Sequence, residues 1–196
     1  MTEAAFHGRA GKRFPADLLR VARRKLEAMN ATALLSDLEA PPGNRLEPLS
    51  GERSGQHSIR VNDQFRICFV WTDAGLPMLS SSTIINEETD MAAHDETALP
   101  PMHPGEMLRE EFLVPLGLSA GKLAKACDVP RTRIERIVSE NIGVSADTAV
   151  RLGKVLGTSA EFWLNLQARY DLTIAKQELG PRIDALHVLN PATEAA

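Results

Sequence analysis

Apolar residues recur at helical spacing from Pro15 to Met29, where Leu18, Val21, Ala22, Leu26 and Met29 share one face of PADLLRVARRKLEAM. Pro15 suits a first helical turn, where its missing N–H has no intrahelical partner to lose. Asn30 suits the end of this helix. Leu34, Leu35 and Leu38 predict a short second one before Ala40-Pro41-Pro42-Gly43-Asn44 breaks the run. The period then changes from helical to alternating, and strands are predicted at Arg45 to Leu49, His57 to Val61 and Phe65 to Trp71. Ile59 and Val61 alternate with Ser58 and Arg60, while Phe65, Ile67, Phe69 and Trp71 alternate with Arg66, Cys68 and Val70. Asn62-Asp63-Gln64 between them reads as a hairpin turn, because Asn and Asp tolerate the left-handed region.

From Asp73 to about Pro104 the chain is rich in Gly, Pro, Ser and acids and keeps no hydrophobic period, which is the composition of a linker. Helix and strand patterns precede it, and helices alone follow. The expected division is an α+β unit over residues 1–76, a linker over 77–98, an all-α unit over 99–180 and a tail over 181–196. In the all-α unit, Met107, Leu108, Phe112 and Leu113 share a face of a helix from Pro104 to Leu113. Ser119 caps a helix to Cys127, Asp128-Val129 turns into a helix from Pro130 to about Ser139, and Ser145 starts another that ends at Gly157. Thr158 and Glu161 fit a capping box for the last helix, which runs through Trp163 and Leu166.

Composition adds bounds. The 196 residues are 43% hydrophobic and 24% charged, ordinary for a soluble globular protein. No run of about 18 apolar residues is present to span a membrane, and the N-terminal MTEAAFHGRAGKRFPADL lacks the apolar stretch of a secretory signal, so a cytoplasmic protein is expected. Cys68 and Cys127 lie in separate apolar stretches and are expected as reduced, buried thiols rather than a disulfide. The five histidines show no ligand spacing, so neither a metal nor a cofactor is expected. A net charge of −4 argues against non-specific nucleic-acid binding by the whole surface and leaves room for a local basic patch.

Such a patch falls in LSAGKLAKACDVPRTRIERIVSE, which has a short helix, a tight turn and a second helix, the parts of a helix-turn-helix. Leu123, Ala124, Cys127, Val129, Ile134 and Ile137 would form the shared core. Arg131, Thr132, Arg133, Glu135 and Arg136 would lie near or on the exposed face of the second helix. There arginine can read guanine with two hydrogen bonds, and threonine can meet phosphate or a thymine methyl. Lys122 and Lys125 on the first helix would face phosphates. The plainer alternative is a solvated polar face on a helical bundle.

HPGEMLREEFL, VPRTRIERIV and SADTAVRLGKVLGTSAEFWLNLQARYDL, in that order and spacing, closely resemble HigA-type antitoxins of the Xre, lambda-repressor-like class. The resemblance covers roughly residues 99–177. It implies operator binding as a homodimer, repression of the protein's own operon, and dimerisation through C-terminal helices that would engage Phe162, Trp163, Leu166 and Tyr170. Phe162 and Leu166 suit the core of a single chain equally well. The family usually has a basic segment just after the recognition helix, where this chain has Glu140-Asn141-Ile142, so phosphate contacts there are expected to be weaker.

The first unit has a resemblance of its own. KRFPADLLRVARRKLEAMNAT and APPGNRLEPLSGERSGQHSIRVNDQFRICFVW are similar to HigB toxins of the RelE superfamily, which cleave messenger RNA on the ribosome. That resemblance places Arg66 at the family's matching arginine position, with Arg60 on the neighbouring strand and Arg53 as a further phosphate contact. Ordinary salt bridges are the competing reading for all three.

Two departures stand against RNA cleavage. The family's opening strand would have ended about where Met1 stands, and its closing apolar strand ends in Asp-Tyr-His, whereas this chain carries Met78-Leu79-Ser80-Ser81-Ser82-Thr83-Ile84-Ile85-Asn86-Glu87. Codons for Pro77 to Glu87 can be chosen that, regrouped by a single nucleotide, encode Asp-Ala-Gln-Leu-Val-Asp-Tyr-His-Gln and then a stop. A frameshift joining a toxin to an antitoxin that starts at Met91 is therefore expected. The combined expectation is a RelE-like α+β unit, helices on a small antiparallel sheet, followed by an all-α lambda-repressor-like domain. It would act as an operator-binding antitoxin with a truncated toxin attached. The alternative is an active ribosome-dependent mRNA endonuclease tethered to its antitoxin, the two halves docking within one chain or across a dimer.

Overall fold

The computed structural model describes residues 16–72, 77–86 and 101–187. Helix α1 (Ala16–Ala31) is followed by a 3-10 turn at Leu35–Leu38 and a sheet of β1 (Glu47–Pro48), β2 (Gln56–Arg60), β3 (Phe65–Trp71) and β4 (Pro77–Asn86). The sheet is antiparallel and runs in chain order. Helices follow: α2 (Pro104–Met107), a π-helical segment (Leu108–Leu113), α3 (Val114–Leu116), α4 (Ala120–Ala126), α5 (Arg131–Val138), α6 (Ala146–Leu156), α7 (Ala160–Leu179) and α8 (Pro181–Asp184).

The alternating pattern sets the two faces of the sheet. Ile59 pairs with Ile67 and His57 with Phe69. Ile59, Ile67 and Phe69 are fully buried in a core shared with Ala22, Leu26 and Met29 of α1. The intervening residues, Ser58 opposite Cys68 and Arg60 opposite Arg66, therefore lie on the face turned away from α1. The β2–β3 turn closes as expected, but through a side chain. Asn62 Oδ1 accepts from the backbone N–H groups of Gln64 at 3.0 Å and Phe65 at 2.8 Å. Neither Asn62 nor Asp63 is left-handed, because the side chain itself supplies the acceptor that tightens the turn. The predicted strand from Arg45 shortens to Glu47–Pro48, with Arg45 at a positive φ of 43°.

Residues 77–86 correct the expected linker. They form β4, with Arg66 opposite Ile85 and Ile67 opposite Ile84. Sheet pairing uses the backbone, so a polar Ser-Ser-Ser-Thr run joins a ladder whenever a strand edge is offered. The β-branched Thr83, Ile84 and Ile85 suit that geometry. The remainder of the expected linker, 87–98, lies outside the described residues. Of the expected tail, Pro181–Asp184 forms the short α8.

In the second half most helix boundaries follow local chemistry. Ser119, Ser145 and Ser159 each accept a backbone N–H from the third residue on, and Gly157 ends α6 at φ 77°. Ser159, not Thr158, is the cap of α7. The Thr158 hydroxyl instead accepts from the Trp163 indole N–H at 2.8 Å, an obligatory partner once that ring is buried. The helix begun at Pro104 continues past Leu113 to Leu116 through the π-helical segment, where the Val114 N–H reaches back to the Arg109 carbonyl. Pro115 follows directly, and its ring crowds the carbonyl four residues earlier, which accounts for the widened turn. Gly105 marks a close approach: a Cβ there would stand 1.9 Å from the Ile137 carbonyl oxygen at the end of α5.

The hydrophobic core is continuous across both halves. One side of α1 covers the sheet, and its other side is buried against α7 and the helical segment around Glu111. Helix α1 is thus the middle layer of the molecule.

Candidate functional site

The helix-turn-helix is formed by α4 and α5. Leu123, Ala124, Cys127, Ile134 and Ile137 are buried, and Val129 is partly buried, as their spacing predicts. The turn is made by the Val129 N–H bonding the Ala124 carbonyl at 3.0 Å, with Asp128 left-handed at φ 52°. Its placement depends on a residue that the sequence reading missed. Arg151 of α6 donates to the Cys127 carbonyl at 2.9 Å and the Asp128 carbonyl at 3.1 Å, fixing the turn from below. The Arg151 guanidinium also bonds Asp147 at 3.0 Å, and Asp147 in turn accepts from Arg133 at 2.6 Å. Hydrogen bonds from Arg151 and Arg133 hold the Asp147 carboxyl below the usual aspartate range. The signal for this clamp was present as an Asp–Arg pair four residues apart on one helix.

The polar face of α5 is brought together largely as predicted. Arg131, Thr132 and Arg136 are exposed, as are Lys122 and Lys125 on α4. Glu135 is half-buried and pairs with Arg131 at 2.7 Å, while Arg133 is half-buried and turned toward Asp147. Exposed guanidinium and ammonium groups at the start of a helix held by its own core can exchange water or a weak surface pair for phosphate oxygens and base edges. Arg109 bonds the Val138 carbonyl at 2.6 Å and Glu140 at 3.2 Å, so the acidic residue after α5 already has a cationic partner.

On the sheet, Arg60 and Arg66 are cross-strand neighbours, and the exposed Arg53 lies close enough to the Cys68 thiol to act on it electrostatically. Arg60 and Arg66 are both engaged. Arg66 donates to Ser58 Oγ at 2.9 Å and the Arg45 carbonyl at 2.9 Å and pairs with Glu47 at 3.1 Å. Arg60 pairs with Asp63 and donates to the Asn62 carbonyl at 3.1 Å. Burial pushes the Cys68 thiol up despite Arg53 and Arg66 beside it, leaving it protonated and inert as a nucleophile.

Of the residues expected at a dimer interface, Phe162 and Leu166 take their single-chain alternative, the core, and Trp163 joins them there. Phe162 and Trp163 are fully buried and Leu166 is 2% exposed, all within one chain. Trp163 packs at a tilt against Phe112 at 5.4 Å and edge-on against Phe162 at 5.2 Å between centroids. Tyr170 is half-buried with its ring edge-on to His103 at 4.8 Å. Helix α7 is apolar on more than one side, and its bulkier side faces the core. Leu164, Ala168, Leu172 and Leu179 lie exposed along a different side at helical spacing.

A second arrangement joins the halves. The buried Glu111 carboxylate accepts from Arg24 Nε at 2.8 Å and from Lys25 Nζ, which also bonds Asn44 Oδ1 at 2.7 Å. Burial alone would raise the Glu111 carboxyl, but the charges and hydrogen bonds of Lys25 and Arg24 outweigh it and hold the group below the usual range. Asp37, fully buried, accepts from its own turn at Ala33 N and Leu34 N, both 2.9 Å. From the other half it accepts from Ser159 N at 2.6 Å and Ser159 Oγ at 2.8 Å. Asn165 donates to the Ala31 carbonyl at 2.9 Å, closing the end of α1. The contacts between the halves join residues 86 to 134 positions apart in sequence and carry no local signature.

A helix-turn-helix packed on a small α+β unit through buried ion pairs makes a two-part protein, and sequence comparison places each half in a toxin–antitoxin family. Residues 6–79 match the HigB-like toxin family, described as the RelE-like toxin of type II toxin–antitoxin system HigB. Toxin HigB-1 of Vibrio cholerae is 54% identical over 50 residues, 26% of this chain and 53% of the toxin, so the chain spans about half of that relative. Virulence-associated protein I of Dichelobacter nodosus is 54% identical over 80 residues, 41% of this chain and 74% of that protein. Antitoxin HigA-1 of Vibrio cholerae is 39% identical over 72 residues, 37% of this chain and 68% of the antitoxin. A solved structure, the Pseudomonas aeruginosa antitoxin HigA with higBA promoter, is 44% identical over 46% of this chain and 99% of that one, at a TM-score of 0.44. The chain belongs to the HigA antitoxin family through its C-terminal half and carries a HigB-like toxin segment ahead of it.

Proposed function

We propose that this protein is a sequence-specific DNA-binding antitoxin that represses a type II toxin–antitoxin operon in the cytoplasm as a homodimer, and that its toxin half no longer cleaves RNA. The observation that carries the repressor reading is the exposed Arg131, Thr132 and Arg136 at the start of a helix whose turn is locked by Arg151. The exposed side of α7 along Leu164, Leu172 and Leu179 supports a dimer through that helix, with two recognition helices addressing two half-sites. No helix among the described residues is long and apolar enough to cross a membrane.

The toxin half is silent in this reading because the HigB-like match stops at residue 79, before the place where the resemblance puts Asp-Tyr-His. Arg60 and Arg66 meanwhile have protein partners in place of phosphate. A single-nucleotide frameshift explains that end, and sequencing the gene tests it, since codons that cannot be regrouped to Asp-Tyr-His would rule it out. The second reading, an active endonuclease tethered to its antitoxin, has one observation in its favour. The Arg60–Arg66 pair lies on the sheet face turned away from α1, whereas the helical half packs on α1 itself.

The repressor reading is tested by titrating the intact protein onto its own upstream DNA across a salt series, beside an Arg131→Ala/Arg133→Ala variant. Specific binding that the variant loses supports it; equal binding by the two removes α5 as the reading surface. A ribosome-programmed cleavage assay against Arg66→Ala separates the second reading, since equal backgrounds eliminate it.

A further inference from the structure

Asp147 stands outside the helix-turn-helix, in the first turn of α6, yet both of its carboxylate oxygens are committed to guanidinium groups that bear on it. Oδ1 accepts from Arg151 Nε at 3.0 Å, and Oδ2 accepts from a terminal nitrogen of Arg133 at 2.6 Å. Arg151 is itself fixed, because its guanidinium also donates to the Cys127 and Asp128 carbonyls of the turn. A carboxylate tied at one oxygen to a backbone-anchored group has little rotational freedom left. Its second oxygen therefore sets where the Arg133 guanidinium lies. The same hydrogen bonds hold the carboxyl below the usual aspartate range, so this clamp stays charged at neutral pH.

The two arginines flanking Thr132 differ in this respect. Arg131, 74% exposed, pairs with Glu135 on its own helix, a surface contact that costs little to give up. Arg133, 37% exposed, pairs across helices with a carboxylate that a third residue holds in place. Asp147 occupies one nitrogen of its fork, and a guanidinium carries five N–H donors, so others remain for DNA. Arg133 also stands three residues before the exposed Arg136, on the same side of α5. Resting on the repressor reading above, we propose that Asp147 is a positioning residue that sets sequence preference: it presents Arg133 to the operator in one orientation and keeps it from swinging to the nearest phosphate. An arginine reads guanine only when its fork lies along the base edge, whereas a phosphate accepts it from many directions. Fixing the side chain beforehand thus favours the operator, because it removes geometries that only the backbone rewards.

The test measures the affinity of the intact protein for its own upstream DNA and for a scrambled duplex of equal length, across a salt series. Asp147→Asn preserves the side-chain shape and the bonds from Arg151 to the turn. It is expected to lower the ratio of the two affinities about tenfold, chiefly by tightening the scrambled duplex, whose salt slope should steepen by about one. In an Arg133→Ala background the same substitution is expected to leave the ratio unchanged, since the residue through which Asp147 acts is gone. Arg133→Lys, which keeps the charge and loses the planar fork, should lower the ratio as Asp147→Asn does. A ratio that survives either Asp147→Asn or Arg133→Lys overturns the proposal. So does a fall that persists in the Arg133→Ala background, because Asp147 would then act through surface charge or through the fold. If the parent shows no preference for its upstream DNA, the repressor reading falls and this one falls with it.

Discussion

Arginine is held in two different ways in the two halves of this protein. On the sheet, Arg66 is held by a hydroxyl, a backbone carbonyl and a carboxylate, and Arg60 by a carboxylate and a carbonyl. On α5, Arg136 is exposed, and Arg131, 74% exposed, has only a surface pair with Glu135. The first set supports the fold and would have to surrender hydrogen bonds before touching a phosphate. The second surrenders little, because exposed pairs at this spacing are worth only about 0.3–0.5 kcal/mol. Position on a family motif does not tell these cases apart; the count and burial of existing partners does.

The comparison is broken most severely at the contact between the halves. Glu111→Ala leaves Arg24 and Lys25 buried against each other without their carboxylate and is expected to cost about 3–5 kcal/mol, read by urea denaturation. A small loss would mean that the halves are held by apolar packing alone. Next in size, Arg66→Ala should lower stability by about 1–2 kcal/mol, because the buried Ser58 hydroxyl loses a charged donor, and should leave operator affinity unchanged. Arg131→Ala should do the reverse: stability within about 0.5 kcal/mol of the parent, and operator binding weakened by about 1–3 kcal/mol. If both variants shifted both quantities, the division of labour between the two faces would be wrong.

Acid should act on the helical half through His103. Burial lowers its pKa from the ordinary 6.5, with Glu140 and Asp171 opposing weakly, and its Nδ1 accepts the Gly105 N–H at 2.9 Å, which requires the neutral ring. The unfolded chain therefore takes up the proton first. The stability is complete above pH of about 6.5 and is lost as pH falls toward the lowered folded value. His103→Asn, which can still cap α2, should flatten the fall between pH 7 and 5 in thermal melts. Smallest of all, Lys122→Ala should leave sequence preference intact and reduce the salt slope of operator binding by about one.

Legibility differed between the same regions. The boundaries of α4, α5 and α6 could be read because Ser119, Pro130, Ser145 and Gly157 act on their own neighbours. The inward parity of Ile59 and Ile67 could be read because it is a local alternation. The arginine and lysine positions of the helix-turn-helix followed from that same local register. What could not be read depends on remote partners. The Ser-rich β4 is a strand only because β3 offers it an edge. Helix α7 has apolar residues on more than one side, so its periodicity could not say which side meets the core, and Phe162 and Leu166 stood equally for a dimer seam and for the core. Asp37 capping Ser159, and Arg151 holding the turn at Cys127, join residues that no sequence window contains together.

The buried bonds from Glu111 and Asp37 tie together two halves that are also a single polypeptide. The two are consequently made in equal number, appear at the same moment and are degraded as one. Any circuit that works by letting one component outlive or outnumber the other has nothing to act on here, because that ratio is a constant of the molecule. What remains adjustable is how often the halves come apart, and that is set by the buried bonds and the shared apolar core around α1 rather than by rates of synthesis and turnover.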